Sequence, residues 1–210
     1  MKTVYTLLSL LIVLITACKE KTETAEPAKE DVIEMSTPYG NMYIWLYKAT
    51  PLHRENFLKL SRESYFDGTT FHRVIPGFMI QGGDPNSKDS DPNNDGTGGP
   101  GYTVPAEIRS DIKHERGVLA AARLSDNVNP TKASSGSQFY ISVSTSGTAG
   151  LDNNYTVFGF VMKGMEYADS VVKQSRNSNN RPFTDQKMQV RVIQKTLQQI
   201  KDEYAYTPKY

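Results

Sequence analysis

The chain reads as an all-β antiparallel barrel on three observations: short runs alternate apolar and polar residues with period two, turn signals divide them, and only two segments carry helical spacing. Val32-Ile33-Glu34-Met35 and Gly40 to Tyr47 bracket a Pro38-Tyr39-Gly40-Asn41 turn, a hairpin with Met42, Ile44 and Leu46 on the face that enters a core. Thr50-Pro51 supplies an N-cap and a first-turn proline. Leu52, Phe57 and Leu60 then recur at helical spacing up to Glu63, which makes a helix of about three turns. Two β runs follow, Phe71 to Ile75 and Phe78 to Gln81, divided by the turn dipeptide Pro76-Gly77. Alternation puts Phe71, Arg73 and Ile75 on one face of the first run and Met79 with Gln81 on one face of the second, so a guanidinium and an amide sit among large apolar groups.

Residues 84–101 are rich in Asp, Asn, Gly and Pro and keep no periodicity, so they form a long surface loop. Tyr102-Thr103-Val104 and Gly117 to Ala121 read as strands, and a second polar segment, Leu124 to Lys132, follows. Phe139, Ile141 and Val143 alternate with Gln138, Tyr140 and Ser142, so Gln138 and Tyr140 flank the same groove. Tyr155 to Val161 is a further strand. Met165, Ala168, Val171 and Val172 give Gly164 to Ser175 its helical spacing, and Lys187 to Ile193 is the last strand. Residues 196–210 form a C-terminal tail or short helix.

At 210 residues and 38% hydrophobic content the chain holds one domain, 31–195, plus appendages. Lys and Arg number 24 against 23 Asp and Glu, a net charge of +1, so the balance gives no footprint for nucleic acid. Lys2, the apolar run Leu7 to Ile15 and the small Thr16-Ala17 make residues 1–17 an export signal too short to span a bilayer. Cys18 is the only cysteine, so no intrachain disulfide forms. Residues 18–30 contain no large apolar side chain and read as a disordered tether.

The side-chain inventory excludes several chemistries. His53, His72 and His114 have no paired spacing, so neither a metal nor a cofactor is expected. Asp91-Pro92-Asn93-Asn94-Asp95-Gly96 begins like a calcium loop, but Tyr102 stands at the twelfth position where a bidentate glutamate is required. Gly96 to Gly101 lacks the lysine of a phosphate loop. Ser137 lies in Ser135-Gly136-Ser137-Gln138-Phe139, which lacks the second glycine of a nucleophile elbow, so a hydrolase is set aside. His72, on the strand face opposite Arg73, reads as a hydrogen-bonded structural residue rather than a base.

The fourteen residues Phe71-His72-Arg73-Val74-Ile75-Pro76-Gly77-Phe78-Met79-Ile80-Gln81-Gly82-Gly83-Asp84 resemble the signature of the cyclophilin-type peptidyl-prolyl isomerases. The likeness continues through Gly117-Val118-Leu119-Ala120, Ser135 to Ile141 and Val157-Phe158-Gly159. It implies a closed antiparallel eight-stranded barrel capped by two α-helices, acting on proline-containing polypeptides; a monomer is expected. It implies catalytic roles for Arg73, Phe78 and Gln81 and substrate contacts from Met79, Gln138, Tyr140, Leu151 and Tyr155. Ala122 and Arg123 would offer main-chain contacts to the residues before proline. Tyr140 stands where the family usually has phenylalanine, Tyr155 where histidine is common, and Arg123 where asparagine is usual. Gly150 precedes Leu151 where eukaryotic members place a tryptophan that contacts cyclosporin, so weak cyclosporin binding is expected. Ile15-Thr16-Ala17-Cys18 resembles the bacterial lipobox, which implies cleavage before Cys18, lipidation of its thiol and an exported, membrane-anchored lipoprotein.

The chemistry fits those residues. Resonance holds the X-Pro bond planar behind a barrier of about 18–20 kcal/mol, and uncatalysed exchange takes tens to hundreds of seconds. Reaching milliseconds means lowering that barrier by about 6 kcal/mol. A twisted amide regains a nitrogen lone pair, and a guanidinium donor aimed at it stabilises the twisted state and not the planar one. Arg73 suits the task because its charge persists at any working pH. The alternative function is a membrane-tethered module or chaperone that grips proline segments with little turnover; Arg73 and Gln81 argue against it.

Overall fold

The computed structural model describes residues 26–210. The expected signal segment 1–17, Cys18 and the first part of the tether lie outside the described residues. β1 (Lys29–Thr37) and β2 (Gly40–Leu46) form the expected hairpin, with Met35 opposite Met42 and Ile33 opposite Ile44. α1 (Pro51–Arg62) buries His53, Phe57, Leu58, Leu60 and Ser61, whereas Leu52, expected in the core, is 50% exposed. Thr50 occupies the N-cap position but makes no side-chain cap. The Glu107 carboxylate takes that role, accepting from Leu52 N at 3.0 Å and His53 N at 2.9 Å, where the helix dipole favours negative charge.

β3 (Arg73–Ile75) and β4 (Met79–Gly82) meet across Pro76-Gly77, with Gly77 at φ +73°. β3 is shorter than the expected run: Phe71 lies outside it and enters the inner core, so it does not share a face with Arg73. After a 3-10 turn at Pro85–Lys88 come β5 (Thr103–Val104), β6 (Val118–Ala121), β7 (Ser134–Ser135), β8 (Phe139–Ser142) and β9 (Val157–Lys163). α2 (Met165–Val172) and β10 (Gln189–Thr196) follow. α3 (Leu197–Tyr204) is a third helix, started by a capping box in which Thr196 and Gln199 satisfy each other's backbone N–H.

Eight strands form one antiparallel sheet in the order β10-β1-β2-β9-β6-β8-β4-β3, and β5 pairs with β7 apart from it. The expectation of a closed barrel with two helices is therefore corrected. β10 and β3 are the ends of the sheet and are not paired along their length. The residues just before them meet instead, through the Thr70–Lys187 bridge and the bonds from Phe71 N to Gln186 O at 2.9 Å, Met188 N to Thr69 O at 2.9 Å and Gly68 N to Met188 O at 3.0 Å. Both faces of the sheet are apolar because alternation supplies each in turn. Ile33, Met42, Ile44, Leu119, Phe139 and Ile141 turn to the inner core with α1 and α2. Val32, Trp45, Val118, Ala120, Met79 and Tyr140 turn to the other side. There α3 and the tail cover part of the face: Tyr204 stacks on Tyr43 at 4.8 Å and Tyr206 on Phe160 at 5.6 Å, while Trp45 Nε1 donates to Lys209 O at 3.2 Å. The remainder of that face is the floor of a cleft.

Candidate active site

The β3–β4 register sets Arg73 directly opposite Gln81 and Ile75 opposite Met79. Arg73 Nη1 donates to Gln81 Oε1 at 3.2 Å, Gln81 Nε2 donates to Gln138 Oε1 at 3.1 Å, and Gln138 Nε2 donates to the carbonyls of Gly96 and Gly98 at 3.0 and 2.8 Å. The two glutamines thus carry orientation from the 84–101 loop to the guanidinium. The guanidinium expected among apolar groups is exposed at the cleft mouth. It escapes the desolvation cost that a buried cation without an acid would bear. Among the described residues its side chain pairs with an amide and with no carboxylate.

A cavity of about 520 Å³ collects Arg73, Phe78, Met79, Gln81, Ala122, Arg123, Tyr140, Leu151 and Tyr155 along one wall and floor. Gln138 is not on the lining; its side chain lies behind Gln81, turned to the Gly96 and Gly98 carbonyls. Ala122 lines the cavity, but its main chain is already committed, N to Gln138 O at 2.9 Å and O to Ser135 N at 2.8 Å. Arg123 lines the cavity beside it. Its side chain is 5% exposed, donates to Asn154 O at 2.8 Å and lies over the Tyr155 ring at 4.5 Å. Leu151 ends a 3-10 turn, and beside it Gly150 faces open space.

Tyr140 is held from behind. Its hydroxyl meets His114 Nε2 at 2.9 Å, and His114 Nδ1 meets Asp152 Oδ1 at 2.9 Å. Burial pushes the Tyr140 phenol far above its ordinary value, so it stays protonated and donates to His114. Burial also pulls His114 below its ordinary value despite the Asp152 carboxylate. The neutral ring then donates from Nδ1 and accepts at Nε2.

The second wall was not legible as a site in the sequence. It consists of His72, Pro92, Asn93, Asp95 and Gly96 on one side and Asn177, Asn179 and Arg181 on the other. Arg181 joins the two loops, its Nε donating to Asp95 at 2.6 Å and Nη2 to Asp185 at 2.9 Å. His72, expected to be hydrogen-bonded, is 6% exposed and has only the Thr70 backbone against its ring, in a geometry too poor to satisfy both nitrogens. Phe71 and His72 lie outside β3, so strand alternation does not govern them, and His72 faces the same cavity as Arg73.

A third histidine stands in a triad-like row, with Ser134 Oγ 2.9 Å from His53 Nε2 and His53 Nδ1 2.7 Å from Glu107 Oε2. Ser134 is 1% exposed and the void beside His53 is about 10 Å³, so no acyl substrate reaches it. The row serves the α1 terminus. Among the described residues no group of three or more His, Cys, Asp or Glu side chains is arranged to hold a metal ion.

Comparison with known proteins agrees with this geometry. The family model described as cyclophilin type peptidyl-prolyl cis-trans isomerase/CLD matches residues 32–194. A peptidyl-prolyl cis-trans isomerase of Acinetobacter baylyi is 33% identical over 183 residues, covering 84% of this chain and 90% of that protein. One of Schizosaccharomyces pombe is 36% identical over 153 residues, 72% of this chain and 91% of its own length. One of Arabidopsis thaliana is 40% identical over 164 residues, but this chain covers only 24% of it. Among solved structures, the Cryptosporidium parvum cyclophilin type isomerase crystallised in the presence of the dipeptide Ala-Pro superposes with a TM-score of 0.67 at 28% identity, covering 77% of this chain and 98% of that one.

Proposed function

The chain belongs to the cyclophilin-type peptidyl-prolyl cis-trans isomerase family, and from that premise we propose that Arg73 drives rotation about X-Pro bonds while Phe78, Met79, Tyr140 and Leu151 seat the proline ring. The protein is a peptidyl-prolyl cis-trans isomerase and binds proline-containing polypeptides. The observation that most supports the residue assignment is the Arg73–Gln81 hydrogen bond at 3.2 Å above the apolar floor. A guanidinium has five N–H donors, and one is spent on Gln81, so others remain to meet the nitrogen lone pair that appears as the amide twists. Gln81 spends one amide hydrogen on Gln138 and keeps one for the substrate carbonyl. The proline ring loses water on the floor, and that apolar surroundings strengthens the donor that matters in the twisted state. No proton moves and no covalent intermediate forms.

The clients in this reading are exported proteins, and the chain is a bacterial lipoprotein whose Cys18, after Ile15-Thr16-Ala17, carries the lipid anchor. It works as a monomer assisting folding near a membrane. The competing reading, a tethered proline-peptide binder or chaperone with little turnover, leaves the guanidinium without a purpose. A protease-coupled assay on a proline tetrapeptide separates them: the isomerase reading expects fast exchange that is lost in Arg73→Ala, and equal slowness of both proteins would favour the binder.

A further inference from the structure

The second wall of the cavity has no part in the rotation step, yet it is built. Arg181 pins the 92–96 loop to the 177–181 loop through Asp95, and Asn180 O accepts from Val74 N at 2.8 Å, which ties the second loop to β3 beside Arg73. Asn177 Oδ1 accepts from the backbone N of Asn179 and of Arg181 at 2.9 and 3.0 Å, holding this loop in a tight turn. Inside these walls His72 is more than nine-tenths buried, with the Thr70 backbone the one hydrogen-bonding group against its ring, so at least one ring nitrogen is left unpartnered, a state that is costly to keep in a folded protein. Burial pulls the ring below its ordinary pKa, against the pull of Asp84, Asp95 and the Thr70 backbone, so at neutral pH it is uncharged. The position that a side chain would take on Gly96 is empty and lies 3.5 Å from His72 Nε2. The Asn179 side chain lines the same space.

We propose that His72, Gly96, Asn177 and Asn179 form a subsite for the side chain that follows the proline, and that it takes an uncharged hydrogen-bonding group such as the amide of Gln or Asn. This rests on the isomerase reading above. In that reading the residues before the proline contact Arg123, and the same cavity continues to this wall, which leaves the wall for the residues after the proline. Asp95 pairs with Arg181 at 2.6 Å, and Asp185, which does not line the cavity, takes another arm of Arg181, so this wall itself, unlike Arg73 beyond it, presents no free cation to an acidic side chain. The amides and the neutral imidazole supply donors and acceptors for a neutral one, and an apolar side chain there would leave them unpaired.

The test compares kcat/KM for two tetrapeptides that differ only after the proline, Ala-Ala-Pro-Gln and Ala-Ala-Pro-Leu, by a protease-free NMR exchange assay. The wild-type protein should favour Gln about fivefold, the worth of one net hydrogen bond. The ratio should fall toward one in His72→Phe, which keeps ring volume, and in Asn179→Ala at an exposed site, which decides the matter if the buried substitution does not fold. A wild-type ratio near one, or a ratio kept in a folded variant, overturns the subsite. Turnover of the Leu peptide judges the isomerase reading separately: if neither peptide is turned over, that reading has failed rather than the subsite.

Discussion

The Tyr140 hydroxyl rests on His114 Nε2 at 2.9 Å, with Asp152 fixing the far side of the imidazole. A residue lining the cavity is thus anchored through a polar row beneath it. Tyr140→Phe removes the donor and leaves His114 Nε2 buried and unpaired, so unfolding free energy should drop by about 1–3 kcal/mol, while the ring still seats proline and turnover stays within the same order of magnitude. Urea titration and an exchange assay measure the two separately; unchanged stability would mean the row contributes nothing.

Stability should fall in mild acid. His53, His72 and His114 are all held below their ordinary 6.5, in each case chiefly by burial. The unfolded chain then binds more protons than the folded one below that pH, so the stability fully present above 6.5 is lost as pH falls through it toward the folded values. Asp67 and Asp152, held below 3.8, add their loss only in stronger acid. Tm measured from about pH 7.5 to about pH 5 should decline steadily; a flat profile contradicts the neutral, buried assignment.

Glu107 and not Thr50 secures the start of α1. Glu107→Ala removes the acceptor for two backbone N–H groups and the partner of His53 Nδ1, and should cost about 1–3 kcal/mol in urea unfolding. Thr50→Ala removes no side-chain cap and should cost less. The reverse order would contradict the capping assignment.

These positions mark where the sequence was legible. Period-two alternation is a local rule, so the inward Met42, Ile44 and Leu46, and the pairing of Met79 with Gln81 on one face, were readable before any fold was known. Alternation applied to Phe71 and His72 misplaced both, because β3 starts only at Arg73. Thr50 looked like a cap by type, but the acceptor came from 54 residues away. The Asp95–Arg181 pair spans 86 residues and lies in loops without periodicity, so the second cavity wall left no local trace. Sheet closure was equally hidden, because it depends on how the residues before β3 and β10 meet. The motif named Arg73 and Gln81, which lie opposite each other and share a hydrogen bond; it did not carry the exposure of the guanidinium or the turning of Gln138 behind Gln81.

The anchor at Cys18 is tested by metabolic labelling with a fatty-acid analogue. Label should appear on the wild-type chain and vanish in Cys18→Ser, which should also release the protein from membranes. Label retained in the variant would rule this cysteine out.

The central claim is that a guanidinium facing Gln81 stabilises the twisted X-Pro bond more than the planar one, and Arg73→Ala tests it most directly when turnover and binding are measured on one proline peptide. The account predicts that kcat falls by about 10²–10³, the usual effect of removing a preorganised donor, while the peptide's Kd changes by less than about threefold. A variant that keeps kcat near the wild-type value, or that loses kcat only because it no longer binds the peptide, would contradict it.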